Sequence, residues 1–245
     1  MDAQLQEAKN NFLQVLLHKG ALKIAESEDK FFTLKSGRRS PVFVNFGLLN
    51  DGESLHAIKQ AYSAAASHAL KAGTFTEFDY VFGPAYKGIN LAALTCEGLH
   101  ELHSKNCFCI FDRKEEKAHG EGTSNNAEKV IVGASSWKEG SGMLLVDDLI
   151  VTGKAKYDAL EKIALLPGAK ISGLLLGIDR QEKAGDAINI EHDSAVQAFE
   201  KHSGVKTYAI LTMKEIFEQV REKISPQTRR QWAEYAQKYC VVNFE

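Results

Sequence analysis

The sequence contains only four cysteines, four prolines, three methionines and two tryptophans in 245 residues. With so little proline, and nineteen glycines that follow no period, a collagen-like or proline-rich extended chain is excluded. Cys96, Cys107, Cys109 and Cys240 include one C-x-C pair, no C-x-x-C and no second pair at zinc-ligand spacing. Cys107 and Cys109 share one face of a short apolar run and read as small buried hydrophobes. No apolar run approaches the roughly 18 residues of a membrane span. The start, Met1-Asp2-Ala3-Gln4-Leu5, lacks the basic-then-apolar profile of a signal peptide. Excess charge is missing as well: 30 basic against 32 acidic side chains, net −2, exert no global pull towards nucleic acid. A cytoplasmic protein with neither membrane nor nucleic acid as partner is expected, and any anionic ligand must be met by a local cluster.

What is present is a composition that supports a core, 44% hydrophobic and 25% charged, and a clear periodicity. Leu5, Ala8, Phe12, Leu13, Leu16 and Leu17 form one helical stripe that stops at Gly20. Residues 31–50 read as short extended pieces broken at Ser36-Gly37 and Ser40-Pro41. A helix follows from Asp51 towards Gly73, with Leu55, Ile58, Tyr62, Ala65, Ala66 and Ala69 on its buried side. Strands at 79–82, 107–111, 143–146, 171–178 and 207–211 then alternate with helices, one from about Ile89 and one over 194–202. Apolar strands alternating with helices predict an α/β fold, a mainly parallel sheet covered on both faces. In such sheets ligands sit beyond the carboxyl ends of the strands. From Met213 the pattern is helical, restarting at Ser225-Pro226, with Trp232, Tyr235 and Tyr239 as a packing face. The expected organisation is one domain over residues 1–222 and a helical C-terminal extension over 223–245.

Three loops carry chemistry. In Leu144-Leu145-Val146-Asp147-Asp148-Leu149-Ile150-Val151-Thr152-Gly153-Lys154-Ala155, an apolar strand delivers two carboxylates and a short loop opens a helix. Backbone amides at that helix N-terminus are free to bind phosphate. Acids beside a phosphate cradle suit a ribose 5-phosphate, holding its 2- and 3-hydroxyls, and they also suit Mg²⁺, a hard cation bound by oxygen. A helix N-cap with spare charge is the plainer alternative, but desolvating two adjacent Asp at a buried strand end is costly. In the second loop, glycine at both ends of 83–88 lets the backbone approach an anion and Lys87 supplies charge, although an ordinary strand-to-helix turn has the same look. The third mixes Arg113, Lys114, Lys117 and His119 with Glu115 and Glu116. By composition it is a solvated helix face, yet Gly120, Gly122 and the polar run 123–126 supply the flexible flank used by lids.

The 144–155 segment resembles the signature by which type I phosphoribosyltransferases bind 5-phosphoribosyl 1-diphosphate (PRPP). Four more stretches are similar to the orotate phosphoribosyltransferase family. Phe32-Thr33-Leu34-Lys35-Ser36-Gly37-Arg38, with Ser40-Pro41 and Asn45, resembles its N-terminal hood, here about 20–50. Phe82-Gly83-Pro84-Ala85-Tyr86-Lys87-Gly88-Ile89 resembles its pyrophosphate loop, and Arg113-Lys114-Glu115-Glu116-Lys117-Ala118-His119-Gly120-Glu121-Gly122 its mobile catalytic loop. Ile178-Asp179-Arg180-Gln181-Glu182 resembles the strand end on the orotate side. These blocks stand in family order between residues 32 and 182.

The resemblance implies the type I phosphoribosyltransferase fold with a hood, and a Mg²⁺-dependent reaction of orotate with PRPP that gives orotidine 5′-monophosphate and pyrophosphate in UMP synthesis. It implies PRPP or pyrophosphate contacts from Lys35, Tyr86, Lys87, Arg113, Lys114, Lys117, His119, Asp147, Asp148, Val151, Thr152, Gly153, Lys154 and Ala155. Orotate would meet Lys35, Phe43, Val44 and Arg180, the last giving a bidentate or stacking contact. The catalytic set would be Lys114, Lys117, His119, Asp147 and Asp148. Cations closing over pyrophosphate stabilise its growing charge, and His119 adds a hydrogen bond or proton. Mg²⁺ is expected mainly through PRPP, with Asp147 or Asp148 the candidate protein ligands. A non-proline cis peptide near Ala85-Tyr86-Lys87 and a homodimer sharing the catalytic loop are implied too. The chain departs from the family pattern in places. Val151-Thr152-Gly153-Lys154 replaces the usual Thr-Ala-Gly-Thr, Ala118 stands where an acid precedes the loop histidine, and Val42 and Val44 replace hood aromatics. Two rival readings are a phosphoribosyltransferase for another base, which Arg180 opposes because purines carry no carboxylate, and a non-catalytic PRPP-binding regulator, supported by the displaced loop hydroxyls.

Overall fold

The structure, a computed structural model, describes residues 3–115, 126–151 and 153–244. Helix α1 (Ala3–His18) leads into a hood made of β1 (Leu22–Ile24), β2 (Phe32–Thr33), β3 (Arg39–Ser40) and β4 (Val42–Val44). In the hood β1 pairs with β4, and β2 with β3, both antiparallel. There follow α2 (Gly52–Lys71), β5 (Tyr80–Gly83), α3 (Lys87–His103), β6 (Phe108–Asp112), α4 (Asn126–Val130), β7 (Ile131–Val132), β8 (Gly142–Leu149) and α5 (Lys154–Ile163). The chain continues through β9 (Lys170–Asp179), β10 (Lys183–Gly185), β11 (Ile190–Ser194), α6 (Ala195–Ser203), β12 (Thr207–Thr212), α7 (Met213–Val220) and α8 (Pro226–Tyr239).

Six strands form the central sheet in the order β12-β9-β8-β5-β6-β7. Neighbours are parallel except the antiparallel edge pair β6–β7. The near-continuous apolar runs have the cause expected of a sheet covered on both sides. Alternate residues of one strand enter different cores: Leu144 and Val146 of β8 join the core that contains α1, α2 and α7, while Met143 and Leu145 join the one that contains α5 and α6. Local signals set the helix starts. Asp51 accepts from the Ser54 amide at 2.9 Å to cap α2. Ser194 with Gln197 and Thr212 with Glu215 form capping boxes on α6 and α7, and Ser225 caps α8 ahead of Pro226.

The fold class is the expected one, a mostly parallel α/β sheet flanked by helices. Two differences are physical in origin. The hairpin β10–β11 lies where only a loop and a helix start were read, because Ile190, Glu191 and His192 are exposed and show no apolar alternation. It is held from afar: Arg38, 2% exposed, donates to the carbonyls of Lys183 (2.7 Å), Ala184 (3.1 Å) and Asp186 (3.1 Å). The edge strand β7 has two residues, too few for a periodic signal. All four cysteines are free, Cys240 buried and the other three half-buried.

The aromatic face of α8 is a packing face. Trp232, 1% exposed, meets Phe217 edge-on at 5.2 Å and lies 6.3 Å from Phe244. Trp232→Ala is expected to destabilise the protein by about 3–5 kcal/mol in urea denaturation. A loss below about 1 kcal/mol would show that α8 lies outside the cooperative core.

Candidate active site

The carboxyl ends of β5, β6, β8 and β9 share one edge of the sheet. From β5 the chain crosses through α3 to β6 on one side, and from β8 it crosses through α5 to β9 on the other. A crevice therefore opens between the neighbours β5 and β8, the place where α/β sheets bind ligands. Lys87, the first residue of α3, spans it with Nζ 2.9 Å from Asp148 Oδ2.

Asp147 and Asp148 are 7% and 8% exposed. The Asp148 amide donates to Asp147 Oδ1 and the Leu149 amide to Asp148 Oδ1, both at 2.8 Å, while the Tyr62 hydroxyl donates to the Asp147 carbonyl at 2.9 Å. The second oxygen of Asp147 meets Lys156 Nζ at 2.5 Å, in a pair whose side chains are 7% and 9% exposed. Lys156 also donates to the Leu149 carbonyl at 2.6 Å. Burial holds the Asp147 carboxyl above its ordinary value of 3.8, against the pull of Lys156 and with the help of the Asp148 charge. Lys156 was absent from the sequence reading, although a signal existed. Lys156, Ala159 and Ile163 are the buried residues of α5, so a lysine occupies an i, i+3, i+7 apolar stripe and must find a partner there.

Between the acids and α5 lies the loop read as a phosphate cradle. Gly153 has φ 74°, and a Cβ there would lie 2.8 Å from Tyr157 Cε2, so the backbone and the ring both require glycine. No side chain caps α5, whose first-turn residues Lys154 and Ala155 are exposed. Val151 is exposed, and Thr152 lies outside the described residues.

On the β5 side the Ala85–Tyr86 peptide bond is cis, as the resemblance implied. The Ala85 amide donates to Asp112 Oδ1 at 2.5 Å, and the other Asp112 oxygen pairs with Lys162 at 2.5 Å. Lys162 also donates to the Arg113 carbonyl at 3.0 Å, so one ion pair joins the β5 loop, the end of β6 and α5. The glycines of this loop serve its own closure. A Cβ on Gly83 would lie 1.9 Å from Gly88 O, and one on Gly88 2.7 Å from Pro84 Cδ. Tyr86 is 74% exposed, with Lys114 Nζ 6.0 Å from its ring centre. Arg113 Nε is buried with no hydrogen-bond partner among the described residues.

On the β9 side Arg180, 7% exposed, faces a narrow cavity lined also by Ser36, Arg38, Val151 and Glu182. Lys35 stays on the exposed turn between β2 and β3. Phe43 stacks on Phe32 with ring centres 5.5 Å apart, and Val44 is half-buried in β4. The structure thus brings Lys87 to Asp148 and Lys114 to Tyr86, and leaves Lys35 in the open. Lys117 and His119 lie outside the described residues.

This arrangement of a hooded parallel sheet is the fold of the type I phosphoribosyltransferases. Adenine phosphoribosyltransferase of Saccharomyces cerevisiae shares it at 16% identity and a TM-score of 0.52, a likeness of fold alone. Orotate phosphoribosyltransferase of Francisella tularensis, solved by crystallography, matches at 33% identity and a TM-score of 0.75 over 94% of this chain and 99% of that one. The orotate phosphoribosyltransferase of Acinetobacter baumannii is 37% identical over 94% of this chain and 95% of its own length. That of Bifidobacterium adolescentis is 38% identical over 85% and 84%. No family model matches the chain. The chain belongs to the orotate phosphoribosyltransferase family.

Replacing Lys156 by Met leaves the Asp147 carboxylate buried and unpaired, and is expected to cost about 3–5 kcal/mol near pH 7. The deficit has a sign in pH. A carboxyl whose folded pKa is raised binds its proton more tightly when folded, so its penalty is absent below the ordinary 3.8 and complete above the folded value. Loss of the ammonium raises that value further, and urea denaturation at about pH 5 should show a smaller deficit than at about pH 7. Equal deficits would show that Asp147 is not the residue Lys156 stabilises.

Proposed function

We propose that this chain transfers the 5-phosphoribosyl group of PRPP to orotate, releasing pyrophosphate and forming orotidine 5′-monophosphate for pyrimidine synthesis. The observation that carries this reading is the meeting of three strand ends: Asp147-Asp148 on β8, Lys87 beside them after β5, and Arg180 on the adjacent β9. In the reaction a ring nitrogen of orotate, as its anion, bonds to the ribose carbon while the bond from that carbon to the pyrophosphate oxygen breaks. The leaving group keeps the electron pair. No strong base is needed, and the protein's task is to hold charge in place.

Asp148 and the Asp147 backbone region stand where ribose hydroxyls would be held, and the first-turn amides of α5 where the 5-phosphate would sit. Lys87, Lys114 and Arg113 ring the place for pyrophosphate, and Lys117 and His119 would close over it from the catalytic loop. Mg²⁺ when bound supplies positive charge to the diphosphate. Among the described residues no group of three or more His, Cys, Asp or Glu gathers into a protein cage, and Asp147 and Asp148 each face a lysine. Mg²⁺ would be held mainly through the PRPP diphosphate, with Asp147 or Asp148 the carboxylates that could join it. The resemblance supports a homodimer in which the catalytic loop of one subunit completes the other's site. A cytoplasmic location belongs to the same reading, and no helix among the described residues is long and apolar enough to cross a membrane.

The test is the absorbance of orotate in the presence of PRPP and Mg²⁺, which should fall only when all three are mixed with the protein. Binding of PRPP without any fall would favour the regulator reading. Lys117→Ala should cut turnover by about a hundredfold to a thousandfold while leaving the circular dichroism spectrum intact; unchanged turnover would remove Lys117 from the account of the leaving group. Lys154→Thr should raise KM for PRPP by about threefold, since it removes a cation from the exposed first turn of α5, beside the proposed phosphate site. An unchanged or lower KM would show that backbone amides alone bind the phosphate.

A further inference from the structure

Arg180 is held by a chain of contacts that ends on α8. Its Nη2 and Nε both donate to Glu182 Oε1, at 2.5 and 3.1 Å, and Nη2 also lies 3.3 Å from Ser40 Oγ. Nη1 has no partner among the described residues. A guanidinium has five N–H groups in a rigid fork. With one edge committed to Glu182, the remaining edge is the one left to bind a substrate carboxylate. Glu182 is thus both an anchor and a hazard, because its own charge lies close to an incoming anion.

Glu182 is itself held from two sides. The Tyr235 hydroxyl donates to Oε1 at 2.9 Å, and Arg38 Nη1 stands 3.9 Å from Oε2. Burial and the Glu182 charge keep the Tyr235 phenol above its ordinary value of 10.0, so it stays protonated and able to donate. Arg38 in turn lies over the Tyr239 ring, 5.0 Å from its centre. Backbone contacts join the same segments: Glu182 bridges to Cys240, and the Val241 amide donates to the Gln181 carbonyl at 2.9 Å. Tyr235 is 8% exposed, and its ring lies 5.0 Å from that of Tyr239.

We infer that Tyr235 is a positioning residue for the substrate's carboxylate: by holding Glu182 it fixes the orientation of the Arg180 guanidinium, which makes α8 part of the base-binding site. The inference rests on the reading of Arg180 as the group that meets orotate. A hydroxyl that only fastened the C-terminal helix would affect stability, or both substrates together. A hydroxyl that orients Arg180 acts on the base alone, because PRPP binds at the neighbouring strand ends.

The test is Tyr235→Phe, which keeps the ring and removes the hydroxyl. KM for orotate should rise by about fivefold, part of the loss of one hydrogen bond to a charged group reaching the substrate through Arg180, while kcat and KM for PRPP stay within about twofold. In a Glu182→Ala background, where the intermediate acceptor is gone, the same substitution should add no further change in KM for orotate. Thermal melting of each variant separates folding losses from binding losses. An unchanged KM for orotate, a parallel rise in both KM values, or full additivity with Glu182→Ala would overturn the inference. If the unaltered protein consumed no orotate, the failure would lie in the proposed function instead.

Discussion

Four carboxylates sit close together at one edge of the sheet, and each is met by a cation within 2.9 Å: Asp148 by Lys87, Asp147 by Lys156, Asp112 by Lys162 and Glu182 by Arg180. Anions in so dry a place are costly unless paired and hydrogen-bonded, so the pairing is a condition of the fold. Except for Arg180 and Glu182, which are two residues apart, the partners come from different elements. Lys87 ties α3 to β8, Lys156 ties α5 back onto β8, and Lys162 ties α5 to β6. The loops that surround the crevice are therefore fastened to one another by charge as well as by the apolar layers beneath them.

The layers were legible in the sequence and the fastenings were not. Strands such as β8 and β9 show as continuous apolar runs because both faces are covered, and that signal is local. The Asp147-Asp148 pair and Arg180 were legible because each follows directly on such a run. Arg38 was not, since its partners lie about 145 residues away on a hairpin with no periodicity of its own. Lys162 and Tyr235 were hidden in the same way: each looks like an ordinary helix residue until the element it reaches is known. Lys156 is intermediate, because its place on an apolar stripe marked it as buried without saying by what it was neutralised.

The glycines repeat this division. Gly153 stands out in the sequence between the acids and α5, and its left-handed φ is a reason for glycine at that position. The pair Gly83 and Gly88 looked like room for an anion, whereas the structure shows the two ends of that loop touching each other. Small size there permits a tight return of the chain from β5 into α3, and that return brings Lys87 to the crevice.

The four ion pairs are not equivalent. Lys156 and Asp147 are both under a tenth exposed, so separating them would leave a bare charge in a dry interior, and the pair behaves as structure. Lys87 is 54% exposed and stays hydrated if it leaves, whereas Asp148 is 8% exposed and needs another donor in its place. Its ammonium can therefore exchange Asp148 for a phosphate where hydrogen-bond donors take its place at the carboxylate. When it does, Asp148 gains an unshared oxygen, and a carboxylate in that condition accepts hydrogen bonds from sugar hydroxyls. The two adjacent acids are about equally buried and differ in their partners, Asp147 paired with a lysine as buried as itself and Asp148 with a largely exposed one, which is the division of work that the proposed reaction of a phosphorylated diol requires.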